Sequence, residues 1–341
     1  MARLLIASDA WHPQVNGVVR SLDTVGRTLA GRGYELSYLT PETFWTVPLP
    51  TYPEIRVSMP SLRGVHEFIE GFSPDHIHIA TEGPLGLAVR GYCVMRGLAF
   101  TTSYHTRFPE YVAARLPVPM EWSYGYLRWF HAAASVTMVP TVSVLRDLRR
   151  KFFRHLAIWS RGVDLLAFSP GPKAMFAGLP GPHLLYVGRV AVEKNIEAFL
   201  EIDHPGTKIV VGEGPQRAAL ADRYRDVVFT GKLTGTALRD AYRSADVLVF
   251  PSRTDTFGNV MLEAMACGTP VAAYPVMGPI DVVSEGRGGA LDEELGAAVR
   301  RALAIPRDRA LTRAREFTWE AAADQFARQL VPLHRQIANV A

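Results

Sequence analysis

Two acidic residues, eight positions apart, mark the segment of this chain whose residue types are best suited to chemistry. Asp255 and Glu263 flank residues 257–259, the predicted start of a helix that ends at Gly268. Residues 245–251 are typical of a buried parallel strand, so Asp255 is expected at its carboxyl end, where ligands bind in open α/β sheets. N–H groups at the start of a helix can receive an anion. The pattern predicts a site for a negatively charged ligand with hydroxyls at both ends, such as a nucleotide-sugar.

Two cations are expected to project from another loop of the same half of the chain. Gly188 ends a predicted strand, Arg189 follows it, and Lys194 comes five residues later near the next helix. Together they can clamp a pyrophosphate and neutralise charge that develops on it. Taken alone they fit a solvated surface turn equally well, because short cationic motifs recur by chance.

Two more strand ends in this half carry glycine. Gly212 begins a glycine-rich turn that can approach a phosphate or a ribose, although such glycines often serve only the backbone conformation. The next strand ends before Lys232 and Leu233, whose backbone groups are placed to meet the edge of a nucleobase. Neither turn is specific by itself.

The elements that position these residues follow from the alternation of short apolar runs with helical patterns, which predicts the α/β class with parallel sheets. The predicted strands are residues 4–7, 35–39, 76–80, 100–103, 135–139, 184–187, 208–211, 227–230, 247–250 and 271–273. Five strands in each half suffice for two doubly wound sheets. The stretch richest in proline and glycine, residues 160–182, is interpreted as the interdomain linker. The predicted domains are residues 1–165 and 166–317. The final segment, 318–341, carries a helical pattern, and the sequence leaves open whether it packs back on the first domain.

Composition restricts the class of protein further. The chain has 341 residues, 48% of them hydrophobic, and 37 basic against 33 acidic residues. A pI near 9.1 permits an anionic partner without requiring one, and no nucleic-acid partner is indicated. Two cysteines, Cys93 and Cys267, argue against a disulfide framework and for a reducing compartment. With no signal-peptide pattern and no long apolar run, we expect a cytoplasmic protein, soluble or peripheral at the inner face of the membrane.

Taken in order, the motifs closely resemble the donor domain of family 4 glycosyltransferases, retaining enzymes of the GT-B fold. The matching motifs are Gly188-Arg189, Glu193-Lys194-Asn195, Gly212-Glu213-Gly214-Pro215, Phe229-Thr230-Gly231-Lys232, Asp255-Thr256-Phe257-Gly258 and residues 263–271. The first half is similar to the same family in its opening glycine loop (residues 8–22), its histidine-bearing strand end (103–107) and its interdomain segment (160–164). The resemblance covers essentially the whole chain, is of the bacterial glycolipid and glycan type, and implies two Rossmann-like domains facing across a cleft.

The resemblance also implies roles for the matching residues. Arg189 and Lys194 would hold the diphosphate, Glu263 the ribose hydroxyls, and Asp255 the hydroxyls of the transferred sugar. His105 would lie by the reacting sugar and orient it, while the leaving phosphate accepts the proton of the acceptor. Further donor-binding positions implied in this way are Asn16, Gly17, Val18, Gly188, Gly212, Lys232, Leu233, Phe257, Gly258, Asn259 and Val260.

The chain departs from the family pattern at Asp255, where the first acid is usually Glu. The shorter side chain keeps the charge but has less reach, so the identity of the donor sugar stays open. The region after Pro279 is also shortened, with residues 281–295 replacing a longer stretch.

The spacing of the histidines does not predict a metal site, and no cofactor is expected. A lone histidine such as His105 is usually structural, and its position in residues 104–107 is what favours a functional role. The ten histidines show no zinc-type spacing with acids. The phosphate charge would therefore be met by Arg189, Lys194 and helix dipoles.

An aromatic set interleaved with arginines predicts the acceptor side. Its members are Tyr111, Trp122, Tyr124, Tyr126, Trp129 and Phe130. Arg107 precedes them, and Arg115 and Arg128 lie among them. The candidate acceptor residues are Arg107, Tyr111, Trp122 and Trp129, which can seat a glycan or touch a membrane interface. A basic stretch at residues 146–154 adds a possible contact with anionic lipid, although such a run is more often a solvated helix face. The expected partners are thus a nucleotide-sugar donor, a lipid or glycan acceptor and an anionic membrane surface.

The leading hypothesis is a retaining, metal-independent hexosyltransferase that uses a UDP- or GDP-linked sugar. One alternative is an epimerase or hydrolase of a nucleotide-sugar with the same fold, which would need further acids or histidines. Another is a non-catalytic nucleotide-sugar-binding subunit. A dehydrogenase is disfavoured, because the first turn, residues 13–18, lacks the three-glycine dinucleotide pattern.

Overall fold

A computed structural model of the protein describes residues 1–12, 14, 16–49, 52–113 and 119–333. Its strands are β1 Ala2–Ala7, β2 Tyr34–Leu39, β3 Thr46–Leu49, β4 Tyr52–Ser58, β5 His76–Ile79, β6 Thr101–Ser103, β7 Val136–Val139, β8 Leu156–Ile158, β9 His183–Val187, β10 Thr207–Val211, β11 Val228–Gly231, β12 Val247–Phe250, β13 Val271–Ala273 and β14 Gly289–Leu291. Its helices are α1 Gly17–Ala30, α2 Leu62–Phe72, α3 Pro84–Met95, α4 Phe108–Ala113, α5 Met120–Ala132, α6 Val142–Arg150, α7 Ile196–Leu200, α8 Arg217–Arg223, α9 Gly235–Ser244, α10 Asn259–Ala266, α11 Pro279–Val282, α12 Leu295–Ala302, α13 Arg307–Ala314 and α14 Trp319–Gln329.

The chain divides into two compact units. Unit 1 comprises Met1–Ser160 and the segment from Trp319 onward, and unit 2 comprises Arg161–Thr318. The sequence places the ends of the corresponding domains at residues 165 and 317. Helix α14 packs on α1 within unit 1, where Arg32 forms an ion pair with Asp324 at 2.6 Å.

Unit 1 contains a six-stranded parallel sheet in the order β2-β1-β5-β6-β7-β8, beside an antiparallel β3-β4 hairpin. Strand β1 shows why the sequence has no polar alternation here. Leu4 and Ile6 pack with α1 and α14, whereas Leu5 and Ala7 pack on the opposite face with α2 and α3. Both faces are covered, so every inner position of the strand is apolar.

Unit 2 repeats the design with the order β11-β10-β9-β12-β13-β14, again all parallel. Leu248 and Phe250 enter one core cluster, and Val247 and Val249 enter the other. The prediction of two doubly wound α/β sheets is therefore confirmed. Strands β8 and β14, which lie at the edges of the two sheets, were not predicted, and neither was the β3-β4 hairpin.

Both sheets reverse their strand order at one position, between β1 and β5 in unit 1 and between β9 and β12 in unit 2. Loops leave in opposite directions there, which opens a crevice at the carboxyl edge of the strands. Within the described parts of the chain, no helix is long and apolar enough to cross a membrane.

Candidate functional site

The crevice of unit 2 brings together the lysine and the loop acid singled out in the sequence. Lys194 follows β9 and Asp255 follows β12, and these two strands are neighbours. Lys194 Nζ donates to Asp255 Oδ1 at 2.6 Å, and both side chains are about four-fifths buried, with 22% and 19% exposed. A short ion pair thus spans the crevice where a doubly wound sheet binds its ligand.

Backbone contacts fasten the two loops that carry this pair. Asn195 has a left-handed backbone (φ 53°), and its Nδ2 donates to the Pro251 carbonyl at 3.1 Å. Thr254 Oγ1 donates to the Glu193 carbonyl at 3.2 Å. Glu193 and Asn195 flank Lys194 in the chain, so the two bonds fix the loop that carries this lysine against the loop that carries Asp255.

Two polar atoms of the loop after β12 are buried without a hydrogen-bond partner among the described residues. They are Ser252 Oγ and Asp255 Oδ2. Ser252 is 2% exposed. An unsatisfied buried group costs about 1–3 kcal/mol, so a ligand that donates hydrogen bonds to this loop would recover that free energy.

The glycine-rich turns after β9 and β10 lie backbone against backbone. Gly188 N–H donates to the Val211 carbonyl at 3.0 Å, and Gly212 N–H donates to the Gly231 carbonyl at 2.9 Å. A Cβ on Gly212 would lie 1.8 Å from the Gly188 oxygen, so no larger residue fits. Beyond β11, the Lys232 side chain is exposed and Leu233 is half-buried. Arg189, beside Gly188, accepts a 2.7 Å hydrogen bond on its carbonyl from Tyr186 Oη.

Two glycines with a left-handed backbone pack at the start of α10. Gly258 has φ +87° and precedes the helix, while Gly278 has φ +91° and would place a Cβ 2.9 Å from the Asp255 carbonyl. Phe257 is buried against Phe317, with ring centroids 6.1 Å apart. Asn259 and Val260 form the first turn and are partly buried. This arrangement fixes where the first N–H groups of the helix lie.

Glu263 lies in the middle of α10 and is 4% exposed. Its Oε2 accepts a hydrogen bond from Tyr242 Oη at 2.8 Å. The acid expected to bind a ribose is thus more deeply buried than a loop acid, and Tyr242 orients it from α9.

In unit 1, the residues of the first glycine loop begin helix α1. Asn16 Oδ1 accepts from the N–H groups of Val18 and Val19, both at 3.0 Å, and so caps the helix. Gly17 is the first helical residue and is exposed. An N-cap asparagine before a helical pattern is a recognisable signal, and it adds a structural role for Asn16.

His105 lies two residues beyond β6, at the carboxyl edge of the unit 1 sheet, and is half-buried. Its ring packs edge-on against Trp159 at 5.5 Å between centroids. Arg107, nearby in the chain, is bound through Nε to Glu110 Oε1 at 2.9 Å, and Tyr124 Oη donates to the same oxygen at 2.7 Å. Burial works against the charge of Arg107, but the Glu110 carboxylate outweighs it and raises the pKa of Arg107.

The candidate acceptor residues differ in exposure. Trp122 is 73% exposed and Trp129 is 52% exposed, seven residues apart on α5. The Arg90 guanidinium lies 3.8 Å from the centre of the Trp129 ring. Arg115 and the side chain of Tyr111 fall outside the described residues. Of the four candidates, the two tryptophans are therefore the ones shown to face solvent.

The crevice of unit 1 holds three residues that the sequence analysis missed. Asp9 follows β1 and accepts from the N–H groups of Leu85 (2.8 Å) and Gly86 (3.1 Å) at the start of α3. Glu82 follows β5, and its Oε1 lies 3.2 Å from Nε2 of the buried His131. An acid within five residues after a predicted strand, the signal used for Asp255, also marks Asp9 and Glu82. His131 carries no such signal, because it lies on a helix.

Burial raises the pKa of Asp9 above its usual value. Hydrogen bonds from Leu85, Gly86 and Thr81 work against this effect, and the charge of Glu82 adds to it. Among the described residues, no group of three or more His, Cys, Asp or Glu side chains is placed to hold a metal ion.

Comparison with known proteins identifies the family. Residues 15–165 match the model described as Glycosyltransferase Family 4, and residues 181–304 match Glycosyl transferases group 1. A GDP-mannose-dependent alpha-mannosyltransferase of Mycolicibacterium smegmatis is 30% identical over 317 residues, covering 85% of this chain and 84% of the relative. The sulfoquinovosyl transferase SQD2 of Arabidopsis thaliana is 33% identical over 261 residues, covering 71% of this chain, which spans about half (51%) of that relative's length.

A solved structure agrees on the fold. Sucrose-phosphate synthase of Thermosynechococcus elongatus superimposes with a TM-score of 0.77 at 23% identity, covering 96% of this chain and 98% of its own. The two Rossmann-like units thus correspond to the GT-B fold. The chain belongs to glycosyltransferase family 4 and is a glycosyltransferase.

Proposed function

We propose that the chain is a retaining hexosyltransferase that moves a sugar from a UDP- or GDP-linked donor to a hydroxyl of a lipid or glycan. The observation that carries the proposal is the ion pair between Lys194 and Asp255 across the crevice of unit 2. The pair joins a lysine, which can bind a diphosphate, to a carboxylate, which can bind sugar hydroxyls.

In this proposal Lys194 and Arg189 hold the diphosphate of the donor. The bond between the sugar C1 and the phosphate oxygen breaks, and C1 forms a bond to the acceptor oxygen on the same face. The proton of the acceptor hydroxyl passes to the departing phosphate oxygen. The cations stabilise the negative charge that grows on that phosphate, which is where such groups accelerate transfer most.

Asp255 and Ser252 would form hydrogen bonds with the hydroxyls of the sugar. Asp255 Oδ2 is buried without a hydrogen-bond partner among the described residues while Oδ1 binds Lys194, and the buried Ser252 hydroxyl lies three residues earlier in the same loop. Glu263, oriented by Tyr242, would bind the ribose, and backbone N–H groups of residues 257–260 would meet the β-phosphate or the sugar. The relative from Mycolicibacterium smegmatis is described as GDP-mannose-dependent, which favours a guanine nucleotide among the candidate donors.

We propose that unit 1 binds the acceptor, and that it does so at the cytoplasmic face of a membrane. Trp122, Trp129 and Phe152, the last 82% exposed, offer apolar contacts. The surrounding positive charge comes from exposed arginines on and just after α6, namely Arg146, Arg149, Arg150 and Arg154. Aromatic side chains with neighbouring cations suit an anionic lipid surface.

A flotation assay with vesicles of phosphatidylcholine and phosphatidylglycerol tests the membrane proposal. We expect the wild type to float with these vesicles at low salt. The double variant that carries both Arg149→Glu and Arg150→Glu should float several-fold less. The matched control reverses two exposed charges of unit 2, at Arg223 and Arg225, and is expected to float like the wild type. Equal loss in both variants, or no flotation of the wild type, contradicts the membrane contact.

Turnover tests the transferase proposal itself. The protein is incubated with UDP-glucose, UDP-N-acetylglucosamine or GDP-mannose and a panel of hydroxyl acceptors, and the anomeric configuration of the product is read by NMR. We expect an α-linked product from one of these α-linked donors, and loss of at least 100-fold in kcat/KM on Asp255→Asn. A β-linked product would contradict retention, and no turnover of any donor would contradict the proposed function.

A further inference from the structure

Glu82 occupies the crevice of unit 1 in a position that matches Asp255 in unit 2. It lies three residues beyond β5, whose neighbours β1 and β6 lead to Asp9 and His105 at the same edge of the sheet. Its side chain is 17% exposed, and its carbonyl accepts a hydrogen bond from Tyr126 Oη. Glu82 is thus held on both its main chain and its side chain.

A row of buried hydrogen bonds orients the Glu82 carboxylate. Thr137 Oγ1 lies 3.0 Å from Thr102 Oγ1, which lies 2.9 Å from His131 Nδ1, and His131 Nε2 reaches Glu82 Oε1 at 3.2 Å. With a neutral His131 ring, the following arrangement of protons satisfies every group. Thr137 donates to Thr102, Thr102 donates to Nδ1, and Nε2–H donates to the carboxylate. Thr102, Thr137 and His131 are each no more than 3% exposed, so water does not compete with these bonds.

The second oxygen, Glu82 Oε2, makes none of the described hydrogen bonds. It is also not among the described buried polar atoms that lack a partner, so solvent reaches it. A fixed carboxylate with one oxygen open to solvent accepts hydrogen bonds but cannot donate them. It therefore suits a ligand that presents a hydroxyl.

The neighbouring helix start is closed to an anionic ligand. Asp9 already binds the N–H groups of Leu85 and Gly86, the first available donors of α3, so the protein's own carboxylate fills the place where a phosphate would dock. Two carboxylates then face this part of the crevice and repel a phosphate.

We propose that Glu82 binds a hydroxyl of the acceptor through Oε2, and that His131 is a positioning residue that fixes the carboxylate. The part of the acceptor that enters this crevice is then a hydroxyl-bearing group, as in a sugar or polyol, and not a phosphate. This proposal rests on the proposed function, in which unit 1 receives the acceptor.

The test separates acceptor binding from donor binding. Glu82→Ala and Glu82→Gln are assayed with GDP-mannose or UDP-glucose and three probes, octyl α-mannopyranoside, phosphatidylinositol and dioleoylglycerol in detergent micelles. Glu67→Gln removes the same charge from the exposed face of α2 and serves as the control. Donor hydrolysis without acceptor and nucleotide Kd are measured in parallel.

We expect Glu82→Ala to lower kcat/KM for the acceptor about 10- to 100-fold, as for a lost hydrogen bond to a charged group. Glu82→Gln should fall between it and the wild type, and Glu67→Gln should match the wild type. Nucleotide Kd and donor hydrolysis should stay within twofold in all variants. Unchanged acceptor kinetics, or an equal loss of donor binding, overturns the role of Glu82. A wild type that hydrolyses the donor but transfers to none of these hydroxyl probes also overturns it. A wild type that binds no nucleotide contradicts the proposed function instead.

Two variants of His131 test positioning against a merely structural role. His131→Gln keeps an amide donor near the position of Nε2, whereas His131→Ala removes it. We expect His131→Ala to raise the acceptor KM as Glu82→Ala does and His131→Gln to restore most of it, at unchanged nucleotide Kd. Loss of folding stability in both variants with the acceptor KM of the wild type contradicts the positioning role.

Discussion

Replacing Gly86 by alanine is expected to destabilise unit 1, whereas replacing Gly91 in the same helix is expected to stabilise it. A Cβ on Gly86 would lie 1.9 Å from the Thr81 carbonyl oxygen and 3.2 Å from Ile79 Cγ2. Carbon and oxygen in close contact are usually about 3.3 Å apart, so the overlap is roughly 1.4 Å. A Cβ on Gly91 meets nothing within 4 Å.

The magnitudes follow from these two environments. Forcing a methyl group into a packed site costs about 1–3 kcal/mol, and the backbone oxygen at Thr81 places Gly86→Ala at the upper end of that range. Alanine is better than glycine inside a helix by about 1 kcal/mol, which offsets part of the cost. We expect a net loss of about 2 kcal/mol for Gly86→Ala and a gain of about 0.5–1 kcal/mol for Gly91→Ala.

Tryptophan fluorescence measures unit 1 alone. The six tryptophans lie at positions 11, 45, 122, 129, 159 and 319, and all of them belong to unit 1. Urea unfolding followed at this signal reports the transition in which unit 1 unfolds, and linear extrapolation gives its free energy. Gly86→Ala with the stability of the wild type, or the same sign for both variants, would refute the packing argument.

Three further outcomes are expected. Gly212→Ala should lower the stability of unit 2 by about 2–4 kcal/mol, because its Cβ would clash with the backbone. Gly178→Ala should change the stability little, because its Cβ would meet nothing within 4 Å. Calorimetry measures both effects. Burial raises the pKa of the thiols of Cys93 and Cys267 to about 12, so both should resist alkylation at pH 8 until the protein is denatured, as mass spectrometry would detect. For Asp246, burial tends to raise the pKa, but hydrogen bonds from a lysine and a backbone N–H lower it below 3.8. The wild type should then exceed Asp246→Asn by about 1 kcal/mol at pH 7, and this difference should vanish as the pH falls through the lowered pKa, in calorimetric scans between pH 7 and pH 3.

The fold was predictable because its strands are short and buried on both faces. Runs such as residues 4–7 and 247–250 carry apolar side chains at every position, and the helical patterns between them require parallel crossovers. The edge strands β8 and β14 and the β3-β4 hairpin were not predicted. Each of the two edge strands has three residues and pairs with a single neighbouring strand.

The candidate site of unit 2 was predictable in its members but not in its contacts. Lys194 and Asp255 both follow predicted strands, yet their ion pair depends on β9 and β12 being neighbours, and local periodicity says nothing about strand order. His131 shows the same limit in unit 1. It reaches Glu82 because α5 packs across the sheet, and that packing depends on residues far apart in the chain.

Direct measurement of nucleotide binding tests the central claim, which is that Lys194 binds a nucleoside diphosphate in the crevice of unit 2. Titration calorimetry with GDP, UDP and ADP is carried out on the wild type, on Lys194→Met and on Lys173→Met. Lys173→Met also breaks a lysine–aspartate pair of unit 2, but at the opposite edge of the sheet. We expect one nucleotide to bind the wild type and Lys173→Met alike, and to bind Lys194→Met at least tenfold more weakly. No binding of any nucleotide, or equal binding by Lys194→Met, would contradict the account.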